Sequence, residues 1–361
     1  MKIVIFCGGY GTRMWPTSTK SYPKQFRTIV KGRSFFQRTL ERYTKVFDSK
    51  DILVSTESKY KRFILDQAPE ILPENIILEP ERRDNLGAIG LVAALIEKRF
   101  PKEVMFFSWS DHFISKVDEF INAIKAACEY TRKTGISVSI NEKPTYPTIH
   151  NGWVEYGDKA GEEGGYPIYK IVKHIEKPDQ ATAEQFFKSS NYLVHTGYAT
   201  WRSDLMLSYY KQYAPSVYGG LVKIMDSWGT ESFEEVLKTE YSKFEKVSVD
   251  YGLYEKLPSD LRLTMAVDSG WEDAGTWQLF YNAMLEEGLD SVIEGEVKVK
   301  NVDSSGNLII GEGDKMIAVI GIKNLAVIDT HGALLVCNMD QTAKVKDLFK
   351  KLEEENPEFI D

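Results

Sequence analysis

The sequence predicts an α/β protein: a Rossmann-like, mostly parallel mixed sheet with covering helices, followed by a small C-terminal β-rich domain. Three observations predict it. The chain opens on the apolar run Ile3-Val4-Ile5-Phe6, which reads as a buried parallel strand, and a glycine-rich turn follows directly. Strand-like and helix-like segments then alternate, the rhythm of right-handed crossovers over a sheet covered on both faces. Past about residue 290 short alternating pieces broken by Asn, Asp and Gly take over. The expected domains are residues 1–290 and 291–361, and 361 residues suffice for a sizeable core.

After the first turn, Phe35, Phe36, Leu40, Tyr43 and Val46 recur at helical spacing. Residues 51–55 read as a second strand, 60–65 as a short helix and 75–78 as a third strand. A helix over 88–100 takes Asp84 or Asn85 as its cap. Residues 104–107 form a continuously apolar strand that ends at Ser108-Trp109-Ser110-Asp111-His112, and a helix over 118–131 leads to a strand over 136–140. Ligands of such sheets sit outside the carboxyl ends of the strands. Gly8 to Arg13, Glu79-Pro80 and Asp111 each follow a strand, so one rim can carry all three.

The middle is more mixed. Pro144, Pro147 and His150-Asn151-Gly152-Trp153 form an irregular segment, and a strand over 169–175 runs into Glu176-Lys177-Pro178-Asp179. Helical stretches near 181–187, 204–213 and 233–237 suggest a lid or substrate half. In the tail, residues 292–297, 308–311 and 325–329 fit either the coils of a β-helix, such as a left-handed one, or a small mixed β domain. Val345, Leu348, Phe349 and Leu352 give the last segment a helical apolar stripe, which packs on the domain body or on a partner subunit.

Composition excludes several classes. Hydrophobic residues at 43% and charged residues at 27% are a globular balance. The formal charge of −8 argues against a broad nucleic-acid or anionic-membrane surface. No signal-like or membrane-spanning run is present, so a cytoplasmic location is expected. Cys7, Cys128 and Cys337 lack metal-ligand spacing and read as free thiols.

Gly8-Gly9-Tyr10-Gly11-Thr12-Arg13 is the strongest chemical signal. Its glycines let the backbone turn sharply and expose consecutive N–H groups, which attract phosphate. Arg13 adds a fixed fork of donors, and Lys24 in Tyr22-Pro23-Lys24-Gln25-Phe26 adds a mobile point charge. The plainer alternative is a tight turn with two surface cations. Met14 stands where a dinucleotide fingerprint needs its third glycine, and no Gly-Lys-Ser or Gly-Lys-Thr makes a Walker loop. Two carboxylates complete the set: Asp111 after a buried strand, and Asp273 in Gly270-Trp271-Glu272-Asp273-Ala274-Gly275-Thr276-Trp277. Carboxylates beside phosphates suit a hard divalent cation, although either Asp alone is also an ordinary turn or cap residue. Lys177 is either a surface cation or an ammonium aimed into the cleft.

These motifs together resemble the sugar-1-phosphate nucleotidylyltransferases, and Trp15 with Pro23-Lys24-Gln25-Phe26 is similar to the bacterial mannose-1-phosphate guanylyltransferases. The resemblance runs through Glu79-Pro80, Ser110-Asp111-His112, Glu176-Lys177-Pro178-Asp179, Ser248-Val249-Asp250-Tyr251 and the Asp273 loop. It implies Mg²⁺-dependent transfer of GMP from GTP to mannose 1-phosphate, giving GDP-mannose and pyrophosphate. By the same resemblance Arg13, Lys24 and Asp111 are catalytic, and Gly8, Gly9, Gly11, Thr12, Arg13, Glu79 and Asn85 hold the nucleotide. Asp111, Gly152, Lys177, His195 and Asp273 contact the sugar phosphate, and Asp111 and Asp273 bind the metal. A homodimer is implied, while an isomerase domain is not expected at this length.

The chain departs from the family pattern at three places. Arg83-Asp84-Asn85-Leu86-Gly87-Ala88-Ile89 replaces a block usually read Arg-Asn-Thr-Ala-Pro-Ala-Ile; Thr148 to Trp153 replaces Glu-Thr-Gly-Tyr-Gly-Tyr; and Val194-His195-Thr196-Gly197 replaces Trp-Asn-Ser-Gly. The last two resemble sugar-facing segments, where His150 and His195 either contact hydroxyls or satisfy local hydrogen bonds. Two alternatives stay open: UTP- or dTTP-dependent transfer to glucose 1-phosphate, and a noncatalytic nucleotide-sugar-binding regulator.

Overall fold

The computed structural model describes residues 1–285 and 288–361. In chain order its elements begin with β1 (Lys2–Phe6), α1 (Phe35–Thr44), β2 (Ile52–Glu57), α2 (Lys61–Gln67), β3 (Ile76–Glu79), α3 (Asp84–Arg99) and β4 (Val104–Trp109). There follow β5 (His112–Ile114), α4 (Val117–Thr134), β6 (Ser137–Glu142), β7 (Trp153–Glu163), β8 (Tyr166–Ile175), α5 (Gln180–Lys188) and β9 (Tyr192–Arg202). Next come α6 (Ser203–Tyr213), α7 (Pro215–Ser227), α8 (Phe233–Tyr241), α9 (Val249–Gly252), β10 (Arg262–Val267), β11 (Trp271–Asp273) and α10 (Trp277–Met284). The tail holds β12 (Val292–Gly295), β13 (Lys298–Val302), β14 (Leu308–Gly311), β15 (Met316–Ile320), β16 (Leu325–Asp329), β17 (Leu334–Asn338) and α11 (Val345–Glu355).

Two compact units emerge, and each is discontinuous. The first comprises Met1–Phe6, Val46–Trp109 and Ile114–Trp271; the second comprises Cys7–Lys45, Ser110–Phe113 and Glu272–Asp361. This partition differs from the single break expected near residue 290. The reason is packing: Trp277 and Phe280, which precede that point, share one core with Met14, Trp15, Phe35 and the tail residues Leu308, Ile328 and Phe349.

The first unit is a nine-stranded sheet in the order β3-β2-β1-β4-β9-β6-β10-β8-β7. The expected parallel rhythm holds for β3, β2, β1 and β4. Beyond β4 the sheet turns mixed, because β9 runs antiparallel to both β4 and β6 and the β7–β8 hairpin joins antiparallel. Hairpins need no crossover helix, which is why the helical rhythm fades there. Helix α3 is apolar all round: Leu86 to Ile96 are buried, and it packs between the sheet residues Val4, Leu53 and Met105 and the helices α6 and α7. Its cap differs from expectation. The cap position is Arg83, whose side chain does not cap the helix; Asp84 begins the helix and accepts from the Asn85 N–H, and Asn85 is used elsewhere. Helix α7 escaped the sequence reading.

In the second unit, β12, β14 and β16 stack in parallel, as do β13 and β15, and β17 closes the larger stack antiparallel. These are β-helix coils. Ile309, Val319 and Val327 fill the space between the stacks, while Leu308, Ile310, Ala326 and Ile328 face the aromatic core of Trp15, Trp277 and Phe280. Three of the four α11 stripe residues pack within their own chain: Val345 and Phe349 are buried in that core and Leu352 lies against it, while Leu348 is exposed. Among the described residues no helix is long and apolar enough to cross a membrane. Among the described residues the three cysteines form no disulfide, with Cys7 and Cys128 buried and Cys337 half-buried.

Candidate active site

The chain leaves β1 through the glycine loop in the second unit. Backbone N–H groups of Gly8, Gly9 and Gly11 donate to no partner among the described residues. Such a row is an anion cradle. Gly11 has φ 69°, and a Cβ there would stand 2.6 Å from Lys24 Cγ, so the position requires glycine. Buried Gln25 ties down the loop carbonyls, its Nε2 donating to Cys7 O at 3.1 Å and Gly9 O at 3.3 Å. Trp15 Nε1 donates to Phe359 O at 2.9 Å, and Trp15 O accepts from Trp277 Nε1 at 3.0 Å. Trp15 and Gln25, both part of the guanylyltransferase-like motif, thus brace the loop through these contacts. Thr12 and Arg13 form the short helical turn that follows.

Pairing of β5 with β11 brings together two segments far apart in sequence, with Asp111 just before one strand and Asp273 at the end of the other. Helix α1 holds both sides of Asp111: Thr39 Oγ1 donates to Ser110 O at 3.3 Å and Arg42 Nη2 to His112 O at 3.1 Å. That helix carries a capping box between Ser34 and Gln37. Lys24 Nζ lies 2.8 Å from Asp111 Oδ2 and 3.4 Å from Ala274 O. Burial pushes the Asp111 carboxyl up, but the ammonium of Lys24 and the neighbouring His112 outweigh it and hold it at about 2. Burial also lowers His112, which feels both Asp111 and Asp273.

Arg13 and Asp273 flank Gly275, where a Cβ would stand 2.8 Å from Arg13 Nη2 and 3.1 Å from Asp273 Oδ2. Among the described residues neither the Arg13 guanidinium nor the Asp273 carboxylate has a hydrogen-bond or ion-pair partner. The donor set fits Mg²⁺, which binds through one or two carboxylates plus substrate phosphates. Among the described residues there is no cluster of three or more His, Cys, Asp or Glu that could hold a metal ion.

The other sequence-predicted residues, Glu79, Asn85, Gly152, Lys177 and His195, fall in the first unit. Asn85 and His195 line one cavity of about 80 Å³ with Trp109, Trp201 and Asp250, and Asn85 Oδ1 accepts from Val249 N–H at 2.6 Å. Gly152 O accepts from His195 N–H at 2.8 Å. Lys177, between β8 and α5, is exposed and pairs with Glu176 at 2.7 Å. His150 is exposed, while its neighbour Trp153 is buried and donates to Thr148 O at 2.9 Å. Sequence reasoning missed Asn141, His174 and Glu142. Glu142 accepts from Ser269 Oγ at 2.6 Å and Gly270 N–H at 2.8 Å, fixing the approach to β11. The Asn-Glu pair directly after the alternating strand over 136–140 was the available signal.

Glu79 ends β3 directly beside Glu57 at the end of β2. Both are nearly buried; Glu79 accepts from Tyr241 Oη–H at 2.6 Å, and Glu57 Oε1 has no partner. Burial first, and the Glu57 charge after it, lift the Glu79 carboxyl from 4.5 to about 7. A raised folded value means the native state keeps a proton that the unfolded chain releases, so stability declines as pH rises from about 4.5 to about 7. Glu79→Gln is expected to stabilise the protein by about 3 kcal/mol near pH 8 and by nearly nothing near pH 4. Urea midpoints at the two pH values check this; a gain equal at both contradicts it.

Known proteins agree with this architecture. Residues 2–288 match the family model described as nucleotidyl transferase, and residues 298–352 match a MannoseP isomerase/GMP-like beta-helix domain. The chain belongs to the nucleotidyl transferase family. It is 29% identical over 356 residues to an Escherichia coli mannose-1-phosphate guanylyltransferase, covering 97% of this chain and 75% of that protein. It is 26% identical over 358 residues to the alginate biosynthesis protein AlgA of Pseudomonas putida, covering 98% and 71%. In fold it resembles a crystal structure from Thermus thermophilus described as a mannose-1-phosphate geranyltransferase, with a TM-score of 0.84, 24% identity, and coverage of 98% and 99%.

Proposed function

We propose that this protein transfers GMP from GTP to α-D-mannose 1-phosphate, releasing GDP-mannose and pyrophosphate. The observation that carries the reading is the open N–H row of Gly8, Gly9 and Gly11 in one unit with the unpartnered Arg13 and the Lys24–Asp111 pair. The names of the guanylyltransferase relatives support the choice of substrates. A sugar-phosphate oxygen attacks the α-phosphorus of GTP; the bond from that phosphorus to the β-phosphate bridging oxygen breaks, and pyrophosphate leaves in line. No separate base is required, because the nucleophile is already an anion. The loop N–H groups cradle the triphosphate, Arg13 meets charge developing on the bridging oxygen, and Lys24 steadies the reacting phosphates. Asp111 and Asp273 would hold Mg²⁺, which when bound would neutralise phosphate charge. Glu79 and Asn85 are assigned to the nucleotide, Gly152 and His195 to the sugar, and Lys177 to the sugar phosphate.

Purified protein with GTP, mannose 1-phosphate and Mg²⁺ is expected to release pyrophosphate, with each of the three required. Faster turnover of UTP or dTTP with glucose 1-phosphate would reassign the substrates; no nucleotide sugar from any pair would refute the class. The free thiols accord with work in the cytoplasm. We assign a homodimer as the working form, checked by light scattering at about twice 41.2 kDa. With Val345 and Phe349 covered in their own chain, the apolar side chains left exposed for its contacts include Leu348 and, on the tail strands, Ile293, Val302, Met316, Ile320, Leu334 and Val336.

A further inference from the structure

A neutral imidazole has one donor and one acceptor nitrogen, and which is which decides what it can bind. For His195 the choice is made by Asn141, a fully buried side chain of β6. Asn141 Nδ2 donates to Ser139 Oγ at 3.1 Å and Thr264 Oγ1 at 2.9 Å, while Oδ1 accepts from the Thr196 backbone N–H at 3.3 Å. The amide cannot be turned over, because its NH₂ would then meet a backbone N–H. His195 Nδ1 lies 3.1 Å from that same oxygen and therefore carries the proton. Burial, and the adjacent His174 after it, lower the imidazole to about 3, so it stays neutral at physiological pH. Its backbone is pinned to Gly152 O, and the His174 ring packs edge-on at 4.7 Å and 76°. Nε2 is left as a lone pair with no hydrogen-bond partner among the described residues, on a ring that lines the Trp109–Asp250 cavity.

We propose that Asn141 is a positioning residue that locks His195 in its Nδ1–H form, so that Nε2 reads a ligand hydroxyl by accepting its proton. The hydroxyl half rests on the proposed sugar-phosphate substrate; the tautomer half does not. The site then demands a hydroxyl at one ring carbon. Hydrogen or fluorine there cannot donate, and the acceptor is left unpaired.

The test has two readouts. In wild-type protein with isotope-labelled histidine, ring-nitrogen NMR shifts near neutral pH are expected to show His195 protonated at Nδ1. Binding of mannose 1-phosphate and its monodeoxy and monofluoro analogues is then measured. One carbon is expected to lose about tenfold in affinity in both its deoxy and fluoro forms, with GTP binding unchanged. Asn141→Leu is expected to lose the tautomer preference and that discrimination together. Protonation of wild-type His195 at Nε2 overturns the proposal whatever the substrate. An Nδ1–H spectrum with equal binding of every analogue overturns the hydroxyl-reading role. An Nδ1–H spectrum with no hexose 1-phosphate bound overturns the substrate reading and leaves Asn141's positioning role supported. These three outcomes are read on the wild-type protein, so none depends on the variant folding.

Discussion

Asp111→Asn is expected to lower turnover roughly a thousandfold, a loss of about 4 kcal/mol of transition-state stabilisation. The substitution keeps the size of the side chain and removes the charge facing Lys24 at 2.8 Å. It also removes one of the two carboxylates assigned to Mg²⁺, so the residual activity should need more metal for saturation. A purely structural role makes a different prediction. Lys24 would be left as a buried ammonium with Ala274 O at 3.4 Å, and stability alone would suffer, by about 3 kcal/mol if the pair were fully enclosed and less at this half-open site. Asp111→Asn combined with Lys24→Met separates the two. Recovery of stability without recovery of turnover shows that the lost rate is not a folding defect; recovery of both removes the catalytic role. Acidity gives a further check. A depressed carboxyl contributes stability above its ordinary 3.8 and loses it only as pH falls through about 2, so Asp111 itself produces no activity loss between about pH 5 and 8.

Arg13→Ala is expected to lower turnover about a hundredfold, near 3 kcal/mol, with a melting temperature within a few degrees of the wild type. The two halves of this expectation come from one observation: the guanidinium has no partner among the described residues, so the fold loses little with it. Its position beside Gly275 and Asp273 leaves the donor fork available to an arriving phosphate. Arg13→Lys restores a charge but not the planar fork, and should recover less than a tenth of the lost rate. Single-turnover pyrophosphate release with calorimetric melting of the same samples decides it. Near-normal turnover in a folded Arg13→Ala protein removes Arg13 from the reaction.

Among the residues proposed to handle phosphate, the glycine loop and Asp111 were legible in the sequence because each follows an apolar strand, and apolar runs are what sequence reports best. Gly8 to Arg13 follow β1, and Asp111 follows β4. The parallel half of the sheet was legible for the same reason. Less visible were residues whose role comes from long-range partners. Gln25 reads as part of a polar turn until its bonds to Cys7 and Gly9 are seen. Asn141 acquires meaning only from Thr196 and Thr264 on two neighbouring strands. Asn85 reads as a helix cap, yet its oxygen serves Val249 well over a hundred positions away. The same blindness hid the fused core of the second unit, because nothing local in Trp277 announces that Trp15 accepts its indole proton.

The bond from Trp15 to Phe359 spans 344 positions and has a consequence for the order in which the molecule matures. On a ribosome the glycine loop emerges hundreds of residues before the backbone that braces it. β1 can pair with β2 and β4 while synthesis continues, since all three lie within the first third of the chain. Closing so distant a contact is slow in entropic terms. The glycine loop therefore reaches its final braced geometry only after the residues between Trp15 and Phe359 have been translated.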